Sequence, residues 1–276
     1  MKLAKRVARV FLLLFACVAV RAQQATLPDP ALSGIAHVAM RVSSLNAARA
    51  FYKKLGFEEA FAFDNGGSPT EAFIKVNDTQ FIELYPQRQA GEAIGFLHVC
   101  YLSRDIEALN QAYRARGLSP TAVAKGGAGN LLFSMTGPGL GNIEFTQYMP
   151  GSRHSNDIGQ HLGEHRISTR IAGVAFPSND PKGAGGFYAR GMAFLPNGRG
   201  TAFRILGDPL DTIDILPATE PPRLIMEVAD LKQAARELRS LGIPAKHEHG
   251  TLIFSDPDGN TIALKQGVES RSTGSQ

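Results

Sequence analysis

The sequence predicts an α+β protein assembled from four copies of one βαβββ unit, arranged as two pairs. Three observations carry that reading. His37 and His98 are 61 residues apart, and so are Glu83 and Glu144. A strand followed by a helix opens both of these stretches. The second half then repeats the plan: IAGVAFPSND matches IAHVAMRVSS, and DTIDILP matches QFIELYP. Self-similarity of this kind is the mark of a repeated architecture.

The first unit starts with Ile35 to Val42. His37, Ala39 and Arg41 alternate with Val38, Met40 and Val42, which places the two sets on opposite faces of a strand. Ser43 or Ser44 caps a helix from about Leu45 to Leu55, and Gly56 ends it. Its apolar residues Leu45, Ala48, Phe51, Tyr52 and Leu55 share one side, and the Val38/Met40/Val42 face is what that side covers. His37 then points from the uncovered face into whatever the sheet encloses. Three strands follow, Glu58 to Phe63, Glu71 to Val76 and Gln80 to Tyr85, separated by Asn65-Gly66-Gly67 and Asn77-Asp78 turns.

In the second unit His98 stands in the strand FLHVCYL, a helix spans about Ile106 to Arg116, and Leu131 to Met135 and Asn142 to Gln147 are later strands. Phe81, Glu83 and Tyr85 share a face, as do Glu144, Thr146 and Tyr148. Residues 149–166 are polar and carry His154, His161 and His165. They read as a solvated linker between two halves, although His161 and His165, four apart, have the spacing of a helical metal pair. The fourth unit has a helix from about Leu231 to Leu241 and ends in FSDPDGNTIALK. Aligning the halves replaces His37, Glu83, His98 and Glu144 by Gly173, Asp214, Arg223 and Ala263. Three of those four cannot bind a metal, so the second pair is expected to lack a centre.

The motif HVAMRVSSLNAARAFYKKLGF, echoed by DPDGNTIAL, resembles the vicinal oxygen chelate superfamily of glyoxalases, bleomycin-resistance proteins and extradiol dioxygenases. That resemblance implies paired units curled into half-barrels: a first domain at 31–150, a linker at 151–166 and a degenerate second domain at 167–267. It also implies one divalent metal (Zn, Ni, Co, Mn or Fe) held by His37, Glu83, His98 and Glu144. His37, His98 and Glu144 match both the glyoxalase-like and the dioxygenase-like ligand patterns; Glu83 matches only the first. Glu83 and Glu144 are the candidate catalytic carboxylates, and Arg41, Tyr85 and Tyr148 the candidate substrate contacts. Metal-dependent lyase, isomerase or dioxygenase chemistry on a small molecule is one implied function. The rival is a binding protein that sequesters a small ligand and needs no metal. Cys100 stands two residues after His98 and shares its face, as a soft ligand, a redox thiol or an apolar core residue.

Of the 276 residues, 43% are hydrophobic and 20% charged, a globular composition. The basic start MKLAKRVAR, the short apolar run VFLLLFACVAV and the small residues Val20 and Ala22 predict a secretory signal peptide over 1–22. The mature chain is therefore expected in the periplasm or medium, with acylation at Cys17 as the alternative anchor. Lys2, Lys5, Arg6, Arg9 and Arg21 leave with the leader, so 29 basic residues less these five leave 24 against 25 acidic. That balance predicts no nucleic-acid partner. The expected assembly is a monomer or homodimer. Of the two cysteines only Cys100 remains in the mature chain, which excludes an internal disulfide.

Overall fold

The computed structural model describes residues 31–139, 141–198, 200–205 and 211–267; the expected signal peptide lies outside the described residues. The first unit is β1 (Leu32–Val42), α1 (Leu45–Lys54), β2 (Glu58–Asn65), β3 (Ser68–Lys75) and β4 (Phe81–Pro86). The second is β5 (Gly95–Ser103), α2 (Ile106–Ala115), β6 (Ala124–Lys125), β7 (Leu131–Gly137) and β8 (Gly141–Gln147). Their eight strands form one sheet in the order β2-β3-β4-β1-β5-β8-β7-β6. A helix of four residues, α3 (Arg153–Asn156), lies in the segment that follows.

The third and fourth units build a second eight-stranded sheet with the equivalent order, β10-β11-β12-β9-β13-β16-β15-β14. Their elements are β9 (Arg170–Ser178), α4 (Pro181–Gly186), β10 (Leu195–Pro196), β11 (Ala202–Ile205) and β12 (Asp211–Pro217), then β13 (Arg223–Val228), α5 (Leu231–Ser240), β14 (Lys246–Glu248), β15 (Thr251–Ser255) and β16 (Thr261–Gln266). The fold is thus α+β, two repeated glyoxalase-like domains of paired βαβββ units. All four unit helices start on side-chain caps: Ser44 accepts from the Ala47 N–H, Asp105 from Ala108, Asp180 from Gly183, and Asp230 from Lys232 and Gln233. The helix of the third unit is short and passes into a π-turn at Phe187–Gly191. Gly183, Gly185 and Gly186 explain the weakness, since each glycine costs a helix about 1 kcal/mol against alanine.

Val38, Met40 and Val42 are fully buried beneath α1, in a core cluster that also takes in Val174, Phe176, Leu224 and Met226 of the second domain. Polar ties run across the same boundary. Gln80 donates to the Ile171 carbonyl (2.9 Å) and accepts from the Ile171 N–H (2.8 Å). Asp211 accepts from the Ile35 N–H at 2.7 Å and pairs with Arg170 at 2.7 Å. The apolar sides of both sheets therefore face helices and each other, and the His37 side of the first sheet is left to enclose a cavity.

The segment at 149–166 is largely exposed but is pinned to the first sheet at a few buried points. Lys75, fully buried, binds the Asp157 carboxylate at 2.7 Å, the Asp157 carbonyl, and Asp78 at 3.0 Å. Arg153 lies 4.5 Å over the Phe63 ring and donates to the Ala62 carbonyl. His161 pairs with Asp157 at 2.5 Å, while His165 is exposed beside Glu164, so these two do not act together on one metal. Asp157 and His154 are thus buried against the first sheet, while Arg153, His161, Glu164 and His165 stay exposed.

Candidate metal centre

Strand register puts the predicted ligands on two neighbouring rungs of the first sheet. One rung runs His37–Cys100–Glu144 across β1, β5 and β8. The next runs Glu83–Ala39–His98 across β4, β1 and β5. Ala39 carries only a methyl group, so Glu83 and His98 reach over it toward His37. His37 Nε2 lies 3.1 Å from His98 Nε2 and 2.8 Å from Glu83 Oε2, and Glu83 Oε2 lies 3.5 Å from His98 Nε2. Glu144 Oε1 is 3.6 Å from His37 Nε2 and belongs with His37 and Cys100 in a second convergent trio.

These residues fit a divalent metal. A pair of donors each about 2.1 Å from a common ion sits about 3.0 Å apart at right angles and about 3.4 Å apart at the tetrahedral angle. The three separations in the first trio straddle those values. An N–H on His37 Nε2 can serve only one of its close neighbours, whereas a cation satisfies all of them. Two imidazoles and two carboxylates are borderline to hard donors, suited to first-row metals.

Electrostatics show how tightly the group is coupled. Burial alone would lower the His37 pKa, but Glu83 and then Glu144 hold it above the usual value. Burial would likewise raise Glu83, and the charge and hydrogen bonds of His37, with those of His98 and Glu71, hold it well below the carboxylate range. Glu71 takes the opposite course: burial and the neighbouring Glu83 push it up to about 9, so it is neutral at pH 7. Tyr85 donates toward both, 3.0 Å from Glu83 and 3.2 Å from Glu71. Burial, Glu144 and Glu83 raise the Cys100 thiol.

His37 and Glu83 of this trio, with Glu144, lie in the wall of a cavity of about 440 Å³. Phe63 of β2, Phe73 of β3 and Leu132 of β7 line it together with His37, Glu83, Tyr85, Glu144 and Tyr148. Strands from both sides of the sheet meet the same space, so the sheet curls around it. Arg41 is the exception among the predicted substrate contacts. It stands at the far end of β1, donates to the Ala93 carbonyl at 3.1 Å and lies 3.6 Å from Glu92. Strand parity gave its face correctly, but four residues at about 3.3 Å each carry it past the cavity.

His154 is the lining residue that sequence reasoning missed. It is buried, stacks 4.5 Å from Tyr148 and is surrounded by Phe61, Phe73 and Phe81. The Asn130 amide oxygen accepts from the Met149 N–H, so the amide nitrogen faces His154 Nδ1 at 2.8 Å and Nε2 carries the proton. Burial first, and His37 second, lower its pKa to about 3. No described lining residue is a Lys or an Arg.

Residues 34–143 match the Glyoxalase/Bleomycin resistance protein/Dioxygenase superfamily. That match spans the first domain of the chain. Similar solved structures span both domains. The 2,3-dioxygenase LapB from Pseudomonas sp. KL28 shares 16% identity at a TM-score of 0.66, over 86% of this chain and 94% of that one. The Mn(II)-bound glyoxalase from Novosphingobium aromaticivorans shares 18% at 0.61, over 86% and 82%. The 2,2',3-trihydroxybiphenyl 1,2-dioxygenase from Sphingomonas wittichii strain RW1 shares 12% at 0.60, over 86% and 91%. No curated protein matches the chain in sequence.

The second domain has the same registers with different side chains. Gly173 faces Ile225, which faces Ala263, and Ala175 stands between Asp214 and Arg223. Arg223 is taken up by Glu220 at 2.6 Å and Glu248 at 3.3 Å. Ala172, Ala175, Ile225, Ile253 and Ala263 pack together as a small apolar cluster of their own. Among the described residues, both convergent ligand trios lie in the first domain.

Proposed function

We propose that the first domain is a metal-dependent enzyme for a small uncharged molecule with two adjacent oxygens. The observation that carries this is the convergence of His37, His98 and Glu83, with Glu144 beside them, at a cavity that His37, Glu83 and Glu144 line. A bound divalent metal supplies a Lewis acid for substrate oxygens. The chain supplies the rest. Phe63, Phe73 and Leu132 form an apolar wall that fits a ring or alkyl body. Tyr85 holds Glu83 at 3.0 Å and keeps that carboxylate aimed at His37. Glu144 has a fifth of its side chain exposed against 6% for Glu83, and it is the carboxylate free to take a substrate proton.

The absence of Lys and Arg from the described lining, with Asp64, Glu83 and Glu144 present, disfavours a substrate that carries its own carboxylates. The presence of two carboxylates near His37, Glu83 at 2.8 Å and Glu144 at 3.6 Å, supports the four-donor, isomerase- or lyase-like reading over a two-His, one-carboxylate oxygenase. The aromatic wall and the fold likeness to 2,3-dioxygenases favour ring cleavage as the second reading. The test is the full chain loaded separately with Mn(II), Fe(II), Ni(II) and Zn(II). Oxygen uptake with catechol and isomerisation of a 2-hydroxyaldehyde are followed, with and without chelator. Metal-dependent turnover that Glu144→Ala abolishes supports the reading; binding of these compounds without turnover under any metal favours sequestration instead.

The N-terminal pattern supports export as a further part of the proposal. Fractionation with N-terminal sequencing of the mature protein should find a periplasmic or secreted chain beginning at Gln23, and a chain retained in the cytoplasm with its leader contradicts it.

A further inference from the structure

We propose that Cys100 is a metal ligand, and that the centre is a pair of overlapping three-donor sets that share His37: a harder set with His98 and Glu83, and a softer set with Cys100 and Glu144. This rests on the metal-site reading above and deepens it.

Cys100 stands directly opposite His37 on β5 and directly beside Glu144 on β8. The three residues thus occupy adjacent strands on one rung, with the short thiol between two long side chains. His37 and Glu144 lean together over it, to 3.6 Å between Nε2 and Oε1. The Sγ lies within 4.8 Å of a ligand atom on each, as His98 and Glu83 do around His37 on the other flank. The thiol is fully buried, and its own hydrogen bond, to the Tyr101 carbonyl at 3.9 Å, is a weak one. A cysteine kept only for packing has no need of that place: the equivalent rung of the second domain carries Gly173, Ile225 and Ala263, where an aliphatic side chain fills the position and the metal donors are gone.

The softer set makes the centre selective. Thiolate prefers Zn(II) and Co(II) to Mn(II) or Mg(II), which the harder set holds as well without it. On binding, the S–H bond breaks, a sulfur–metal bond forms, and the proton passes to solvent.

The experiment is cobalt substitution of the purified full chain, wild type beside Cys100→Ser and Cys100→Ala, with metal content measured on each sample. Wild type should bind one Co(II) per chain and show a sulfur-to-cobalt charge-transfer band in the near ultraviolet. Both variants should lose the band while still taking up cobalt. Their Zn(II) affinity should fall by about tenfold or more, with Mn(II) affinity held within about twofold. Ligand-field bands in the wild type with no charge-transfer band overturn this inference and leave the metal site standing. No cobalt uptake at all overturns both. Metal-free unfolding curves show whether either variant is folded, and the wild-type spectrum decides the question even if neither is.

Discussion

Asp157→Ala tests how the segment between the domains is held against the first cavity. The perturbation removes one carboxylate from Lys75, whose side chain is 0% exposed. Lys75 keeps Asp78, but that carboxylate is 41% exposed and less able to offset a buried ammonium. Removing one member of a buried ion pair costs about 3–5 kcal/mol, and the surviving Asp78 contact places this change near the lower end, at about 3 kcal/mol. His161, which leans on Asp157 at 2.5 Å, loses its partner as well. The chain has no tryptophan, so urea unfolding is best followed by far-ultraviolet circular dichroism. A second arm replaces both partners, Lys75→Met with Asp157→Leu. This double variant should lose less than Asp157→Ala, because no uncompensated charge stays buried. An Asp157→Ala midpoint that implies a loss under about 0.5 kcal/mol would refute the reasoning, since that is the scale of an ordinary surface change.

Two further outcomes follow from the cavity. His154 has its pKa lowered to about 3, so the folded state resists a proton that the unfolded chain accepts near 6.5. Stability is therefore lost as pH falls through 6.5, by about 2 kcal/mol between pH 7 and 5, and His154→Phe should flatten that slope relative to wild type in unfolding curves taken at both pH values. Arg41→Ala should leave metal content unchanged and substrate-analogue affinity within about twofold by calorimetry, because an exposed pair of this kind contributes about 1 kcal/mol or less to stability and touches no ligand.

The fold was legible because its signals are local and repeated. Alternation along Ile35 to Val42, the cap at Ser44 and a 61-residue period each leave a mark in the chain. The convergence of His37, Glu83, His98 and Glu144 was legible for the same reason, and strand register carried the halves' alignment over to Gly173, Asp214, Arg223 and Ala263. Parity, however, reports the face of a strand and not the distance along it, which is why Arg41 shares a face with His37 and stands outside the cavity. His154 and the Lys75–Asp157 tie were not legible: a polar stretch buried by partners more than 80 residues away has no periodicity to reveal it. Nor does sequence show that Glu71 is neutral, because its carboxyl becomes so only where Glu83 and burial meet.

The most direct measurement is the location and number of bound metals: crystals of the metal-replete full chain, examined by anomalous scattering above and below the metal's absorption edge, with elemental analysis of the same preparation. The account predicts one peak per chain, bonded to His37 Nε2 and surrounded by His98, Glu83 and Glu144, and loss of that peak in His37→Ala with retention in Arg223→Ala. Metal-replete protein with no peak at His37, or a peak seated on the Asp214 and Arg223 face of the second domain, would contradict it.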